Sequence, residues 1–160
     1  SIMLVESNML PLGTPAPDFK LINCIDQQAW SLSQQTANQA VVVIFMCNHC
    51  PYVVHIIEEL VRCANDYMDQ SIAFVAINAN DVTQYPDDSP EKMTAFAHQH
   101  SIPFPYCFDD TQAVAKAYQA ACTPDLYVFD QQHHCVYRGR FDNSTPGNGQ
   151  PVTGADLRQA

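Results

Sequence analysis

Two cysteines spaced as Cys47-Asn48-His49-Cys50, with Pro51 directly after them, carry the most legible chemistry in this chain. They stand where an apolar run, 41–46, hands over to a helical pattern. That pattern opens at Pro51 and has apolar residues at Val53, Ile56, Ile57, Leu60, Ala64, Tyr67 and Met68. A Cys-x-x-Cys pair at such a junction is the signature of a redox dithiol. The first thiol falls at a helix N-terminus, where unsatisfied N–H groups and the macrodipole favour a thiolate, and the thiolate is the nucleophile of disulfide exchange. Cys47 is therefore the expected nucleophile and the sulfur nearer solvent. Cys50, one helical turn further in, is expected to attack the mixed disulfide and release the reduced substrate. Half of a structural zinc site is the competing reading, but no second Cys-x-x-Cys or His-x₃-His follows at the usual spacing. His49 has two readings. As a cation it would stabilise the Cys47 thiolate and make the disulfide more oxidising; otherwise it is an exposed polar loop residue. No metal and no bound cofactor is called for, because the electrons reside on sulfur.

The elements that must hold this pair follow from periodicity and punctuation. Leu12 to Pro17 is a Pro- and Gly-rich lead-in. Residues 18–22 and 28–32 read as two short strands around a turn at Asp26. The run 41–46 is continuously apolar, as for a strand covered on both faces. The helix from Pro51 to about Asp69 leads to a second buried strand, 72–77, so the pair forms a βαβ unit with parallel strands and a right-handed crossover. A polar loop, 78–88, ends at Ser89-Pro90-Glu91, an N-cap followed by Pro at the first helical position, which opens a helix to about His100. Asp109-Asp110 is the expected cap of a third helix over 111–121. Residues 126–130 and 135–141 form a hairpin across 131–134. Thr153 with Asp156 resembles a capping box, opening a last helix expected to continue past Ala160.

The 160 residues fit one domain with a sizeable core, residues 1–12 being a lead-in segment. With 47% hydrophobic residues the chain is neither disordered nor membrane-spanning, since no apolar run is long enough to cross a bilayer. The start, Ser1 to Glu6, has no signal-peptide pattern. Seven cysteines, an odd number without framework spacing, suggest a reducing compartment and hence a cytoplasmic location. A formal charge of −10, with only seven lysines and arginines, argues against nucleic acid or an anionic membrane as partner.

The order of elements resembles the thioredoxin fold: strand, Cys-x-x-Cys, helix, strand, helix, then x-Pro before a closing hairpin. The fold class implied is α/β, a central mixed sheet flanked by helices with an N-terminal β-hairpin extension. The extension and the added helix make the chain similar to the larger branch of that superfamily, which contains the peroxiredoxins (alkyl hydroperoxide reductase and thiol-specific antioxidant) and the TlpA-like thiol–disulfide oxidoreductases. Segments 47–53, 76–81, 85–91, 122–125 and 137–140 resemble a bacterial thioredoxin-family subgroup with Cys-Asn-His-Cys-Pro. Two departures stand out. Val41 occupies the position of thioredoxin's buried Asp, six residues before the first Cys, and Ile44 occupies the position of the Thr that peroxiredoxins carry three residues before theirs.

The resemblance implies further residues. Thr123-Pro124 matches the cis-proline element that faces the dithiol, where Thr123 would offer its backbone N–H and C=O to a substrate strand. Cys122 is either a third redox thiol or a small buried side chain. Arg138 and Arg140, in a strand whose end approaches the dithiol, would hold an anionic substrate, favour the thiolate, or simply pair with carboxylates. Glu58, Glu59 and Asp81 are candidate proton carriers, with nothing to select among them.

Three functions compete. The leading one is a thiol–disulfide oxidoreductase cycling Cys47–Cys50, with a disulfide- or thiol-containing protein or small molecule as substrate and an external reductant to recycle it. The second is a thiol peroxidase, an antioxidant, with Cys47 peroxidatic. The third is a metal-binding or redox-sensing module built on Cys47, Cys50, Cys122 and His49.

Overall fold

The structure is a computed structural model that describes residues 10–120, 124–142, 144, 148, 150 and 152–160. The lead-in segment, residues 1–12, falls largely outside them, and the candidate residues Cys122 and Thr123 wholly so.

A five-stranded mixed sheet forms the centre. Its strands are β3 (Ala40–Phe45), β4 (Ile72–Asn78), β5 (Tyr106–Phe108), β6 (Asp125–Asp130) and β7 (Cys135–Gly139), in the order β5-β4-β3-β6-β7. β3 runs parallel to β4, and β4 to β5; β6 is antiparallel to both β3 and β7. A separate antiparallel hairpin, β1 (Lys20–Ile22) with β2 (Ala29–Ser31), precedes it. Helices α1 (Pro51–Met68), α2 (Pro90–Gln99), α3 (Ala113–Ala117) and α4 (Ala155–Gln159) complete the fold. This is the thioredoxin fold with the expected hairpin extension, and β3-α1-β4 is its parallel crossover unit.

The unbroken apolar run of β3 has a simple cause. Successive strand residues point to opposite faces, and here both faces are covered. Val42, Ile44 and Met46 pack with the α1 residues Val53, Ile56, Ile57 and Leu60 and with Met93 and Phe96 of α2. Val41, Val43 and Phe45 pack on the other face with Phe19, Tyr118, Tyr127 and Phe129. A continuously apolar strand is what such a site requires. Burying each of these aliphatic side chains stabilises the fold by about 1.5–3 kcal/mol, so the central strand and α1 form the rigid frame on which the Cys-x-x-Cys loop is mounted.

Three boundaries differ from expectation, each for a local reason. The third helix spans only Ala113–Ala117 rather than 111–121, because Gln112 (φ 62°) and Gln119 (φ 55°) are left-handed and close it at both ends. Asp109 still caps it, its Oδ2 accepting the Ala115 N–H at 2.9 Å. The last helix starts at Ala155, with left-handed Gly154 (φ 71°) as its N-cap, so Thr153 and Asp156 do not form a capping box. Asp142 holds that helix start instead, accepting the N–H groups of Thr153 (2.8 Å) and Gly154 (2.7 Å) on Oδ2. The second helix matches its sequence signal: Ser89 is the N-cap and its side chain accepts the Lys92 N–H.

Candidate active site

β3 ends at Phe45, and Met46 still donates its N–H to Ile77 O of β4. Cys47 comes next, at the carboxyl end of the central strand. Cys50 is the N-cap residue of α1 and Pro51 its first helical residue, where the missing N–H costs nothing. The Cys50 side chain makes no capping hydrogen bond, and the first-turn N–H dipoles are directed at the loop that carries the two sulfurs.

The relative exposure of the two residues reverses the expectation. Cys47 is 2% exposed, whereas Cys50 is half-buried and sits at the helix boundary rather than one turn inward. The cause is a turn that the dithiol spacing does not reveal. Residues Pro86–Asp88 form a short 3₁₀ turn ahead of α2, and Asp88 is fully buried against the Cys-x-x-Cys loop.

Asp88 organises this loop. Its Oδ1 accepts the backbone N–H groups of Asn48 at 2.7 Å and His49 at 3.3 Å. Its Oδ2 accepts the Asn80 side-chain amide at 2.8 Å and lies 2.5 Å from Nδ1 of His49. A carboxylate accepting from three amide donors places the proton of the fourth contact on Nδ1, because a carboxylate has no proton to give. The His49 ring stacks on Tyr85, centroids 5.0 Å apart and planes 13° from parallel. Asn48 is pinned twice more: its amide donates to Asp87 O at 3.0 Å, and its Oδ1 accepts the Tyr106 hydroxyl at 2.9 Å. The Tyr106 phenol is pushed well above its ordinary value, first by burial, then by the neighbouring Cys47 and Asp88 charges, so it stays a donor.

Cys47 Sγ, a ring nitrogen of His49 and a carboxylate oxygen of Asp88 all lie within 4.8 Å of one another. Among the described residues no other group of three such donors is so close. Sulfur, imidazole and carboxylate are a donor set that a transition metal can use. Here both Asp88 oxygens are already committed to four hydrogen-bond contacts, so the cluster fits a proton-handling site better than a metal cage. Cys50 is not part of it.

The remaining candidates fall elsewhere. Half-buried Pro124 immediately precedes β6, whose first residue, Asp125, pairs with Phe45, two residues before Cys47. Pro124 thus reaches the dithiol end of the sheet. Arg138 is buried and forked onto Asp125, Nε to Oδ1 at 3.2 Å and Nη2 to Oδ2 at 2.7 Å. It also donates to Gln119 O and lies 4.9 Å over the Tyr127 ring. Arg140 pairs with Asp156 at 2.5 Å on the surface. Both arginines therefore have carboxylate partners within the chain. Glu59 binds Arg62 and Arg158, and Asp81 binds Thr83 of its own turn, while Glu58 is exposed. The acid beside the dithiol is Asp88, which sequence reasoning had placed in a featureless polar loop. The other described cysteines, Cys24, Cys63, Cys107 and Cys135, are buried. Burial pushes the Cys63 thiol up to about 11 and that of Cys107 to about 12, and raises Cys24 and Cys135 too.

A mixed sheet with a dithiol between its central strand and the following helix defines a thioredoxin-like protein. The family model for AhpC/TSA proteins matches residues 12–138, and the chain belongs to the AhpC/TSA family. It is 56% identical to an uncharacterized conserved protein from Geobacillus kaustophilus, over 94% of this chain and 80% of that one, with a TM-score of 0.92. A hypothetical protein from Sinorhizobium meliloti 1021 is 44% identical over 93% of this chain and 81% of its own, with a TM-score of 0.91. The fold extends to a thiol:disulfide interchange protein, a thioredoxin family protein from Chlorobium tepidum TLS, with a TM-score of 0.71 at 17% identity over 94% of each chain. No curated protein matches the chain.

Proposed function

We propose that the protein is a thiol–disulfide oxidoreductase in which Cys47 and Cys50 cycle between dithiol and disulfide. The carrying observation is the placement of the pair: one sulfur ends the central strand and the other opens α1, beside the Pro124 corner of β6. The Cys47 thiolate attacks a substrate disulfide, forming one S–S bond while the substrate's breaks, and the departing sulfur takes up a proton. Cys50 then attacks Cys47, releases the second substrate sulfur as a thiol and leaves an intramolecular disulfide. Two electrons pass from the dithiol to the substrate, and an external thiol or reductase returns them. Support for Cys47 as the attacking sulfur comes from its closeness to His49 and Asp88. Thr123 and Pro124 would present a backbone edge to the substrate. The substrate is a disulfide-containing protein or small molecule in a reducing compartment such as the cytoplasm, consistent with the seven cysteines. The test is reduction of a small disulfide, such as oxidised glutathione, by the wild type and by Cys47→Ser under a recycling reductant. Loss of turnover in the variant is expected; undiminished turnover refutes the proposal.

Membership of the AhpC/TSA family favours a second reading, reduction of peroxide by Cys47. Against it, fully buried Ile44 stands where peroxiredoxins place their Thr, so no hydroxyl is supplied from that position of β3. Stopped-flow mixing of the reduced protein with hydrogen peroxide separates the two. The oxidoreductase reading expects a rate no faster than that of an isolated reactive thiol, and a much faster Cys47-dependent rate would establish the peroxidase.

A further inference from the structure

We propose that Asp88 is the positioning residue of the dithiol, holding the Nδ1–H of His49 so that the imidazole takes the Cys47 proton and stands as a cation between two anions. This rests on the oxidoreductase reading above and supplies the proton route that Val41, in the place of thioredoxin's buried Asp, cannot provide.

The electrostatics decide the sign. Before transfer the cluster holds a thiol, a neutral imidazole and a carboxylate; afterwards it holds a thiolate, an imidazolium and the same carboxylate. The net charge is unchanged, which matters at a site where Cys47 is 2% and Asp88 0% exposed and the His49 side chain, 35% exposed, is the member that reaches solvent. Asp88 attracts the imidazolium across a 2.5 Å contact and repels the thiolate, whose sulfur is too large to approach an oxygen that closely. Coulomb energy falls as the inverse of separation, so with His49 present the attraction exceeds the repulsion and Asp88 promotes the thiolate. With His49 removed only the repulsion remains, and the same carboxylate opposes it.

The architecture fits this use. Asn80 and the two loop N–H groups hold the Asp88 carboxylate in place, and Tyr85 stacks on the imidazole and limits its rotation. The arrangement is the nucleophile, base and orienting acid of acyl-transfer triads applied to a thiol. In the proposed transfer the Sγ–H bond breaks and an N–H bond forms on Nε2, the ring nitrogen that Asp88 does not hold, once the reacting complex brings it to the sulfur. When the substrate disulfide is attacked, that proton passes to the departing sulfur, so protons and electrons balance without a further reagent. Among the described ionisable neighbours, Tyr106 from β5 is held protonated, the Tyr85 ring stacks on the imidazole, Asp87 is exposed, and Asp125 of β6 is paired with Arg138.

The test is the pH dependence of Cys47 alkylation by iodoacetamide, mapped by peptide mass, for the reduced wild type, Asp88→Asn, His49→Asn and the double variant. Asp88→Asn is expected to raise the alkylation midpoint and slow the reaction at pH 7 by about tenfold, one unit of midpoint shift. In the His49→Asn background the same substitution is expected to leave the rate unchanged or increase it. Unchanged or faster alkylation on Asp88→Asn with His49 present overturns the proposal. So does equal slowing in both backgrounds, which would mark Asp88 as a structural residue only. If Asp88→Asn does not fold, ¹⁵N spectra of the wild-type His49 ring decide: the neutral ring is expected to carry its proton on Nδ1, and a proton on Nε2 refutes the assignment. None of these readouts requires turnover, so failure of the Cys47→Ser assay would refute the oxidoreductase reading independently.

Discussion

The hydroxyl of Tyr106 donates to Oδ1 of Asn48 at 2.9 Å, joining edge strand β5 to the dithiol loop across 58 residues of sequence. Asn48 lies between the two cysteines, and the same side chain donates to Asp87 O. The loop is therefore tied down by its own second residue on two sides, in addition to the backbone bonds to Asp88. This is how an Asn can serve in a position where a rigid Pro would fix the chain by covalent means.

Removing that tie has a predictable cost. Asn48→Ala leaves the buried Tyr106 hydroxyl without this acceptor and frees one side of the loop, at about 1–3 kcal/mol. Tyr106→Phe removes the donor as well as the polar group that needs satisfying, so it should cost less, about 1 kcal/mol. Urea unfolding followed by circular dichroism measures both. A larger loss for Tyr106→Phe than for Asn48→Ala would contradict the assignment.

The Arg138–Asp125 pair is buried, its side chains 1% and 6% exposed. Truncating one partner leaves an uncompensated charge, so Arg138→Ala is expected to destabilise by about 3–5 kcal/mol. Replacing both residues with apolar ones of similar volume, Arg138→Met with Asp125→Leu, is expected to cost less than the sum of the two single changes. Additive losses in a denaturant-unfolding double-mutant cycle would show that the pair does not act as a unit.

Asp142 gives a pH signature. Burial by itself raises its carboxyl, but hydrogen bonds from the Ser144 hydroxyl and from the N–H groups of Gly154, Ser144 and Thr153 outweigh it and hold the group below the ordinary carboxylate range. A lowered folded-state value means that ionised Asp142 contributes stability above the unfolded value of about 3.9, and that this contribution is lost as pH falls through the folded value. Asp142→Asn should therefore cost about 1–3 kcal/mol at pH 7, with the gap to wild type narrowing below about pH 4. A gap that stays constant from neutral to acid pH would contradict this origin.

The frame of the molecule was readable because it rests on local signals. The apolar run of β3, the amphipathic α1 opening at Pro51, the Ser89 cap of α2 and the 126–141 hairpin each announce themselves within a dozen residues. Asp88 was not readable, because its meaning lies in partners 40 and 39 residues away, Asn48 and His49. Within its own neighbourhood it reads only as one more acid ahead of a capped helix. The weak clue was that the segment 85–91 carried part of the subgroup resemblance. The burial of Cys47 was misjudged for the same reason, since the spacing of a dithiol does not report which turn packs against it. The third helix failed on backbone grounds: left-handed Gln112 and Gln119 stop it, and glutamine carries no sequence warning of that conformation.

Covalent trapping tests the central claim most directly, and sharply so because Cys50 is the more exposed residue. Cys50→Ser, reduced and then mixed with excess oxidised glutathione, is expected to accumulate a mixed disulfide mapped to Cys47, and to do so faster than Cys47→Ser accumulates one on Cys50. An adduct on Cys50 in Cys47→Ser that forms as fast, or none on Cys47 in Cys50→Ser, would contradict the account.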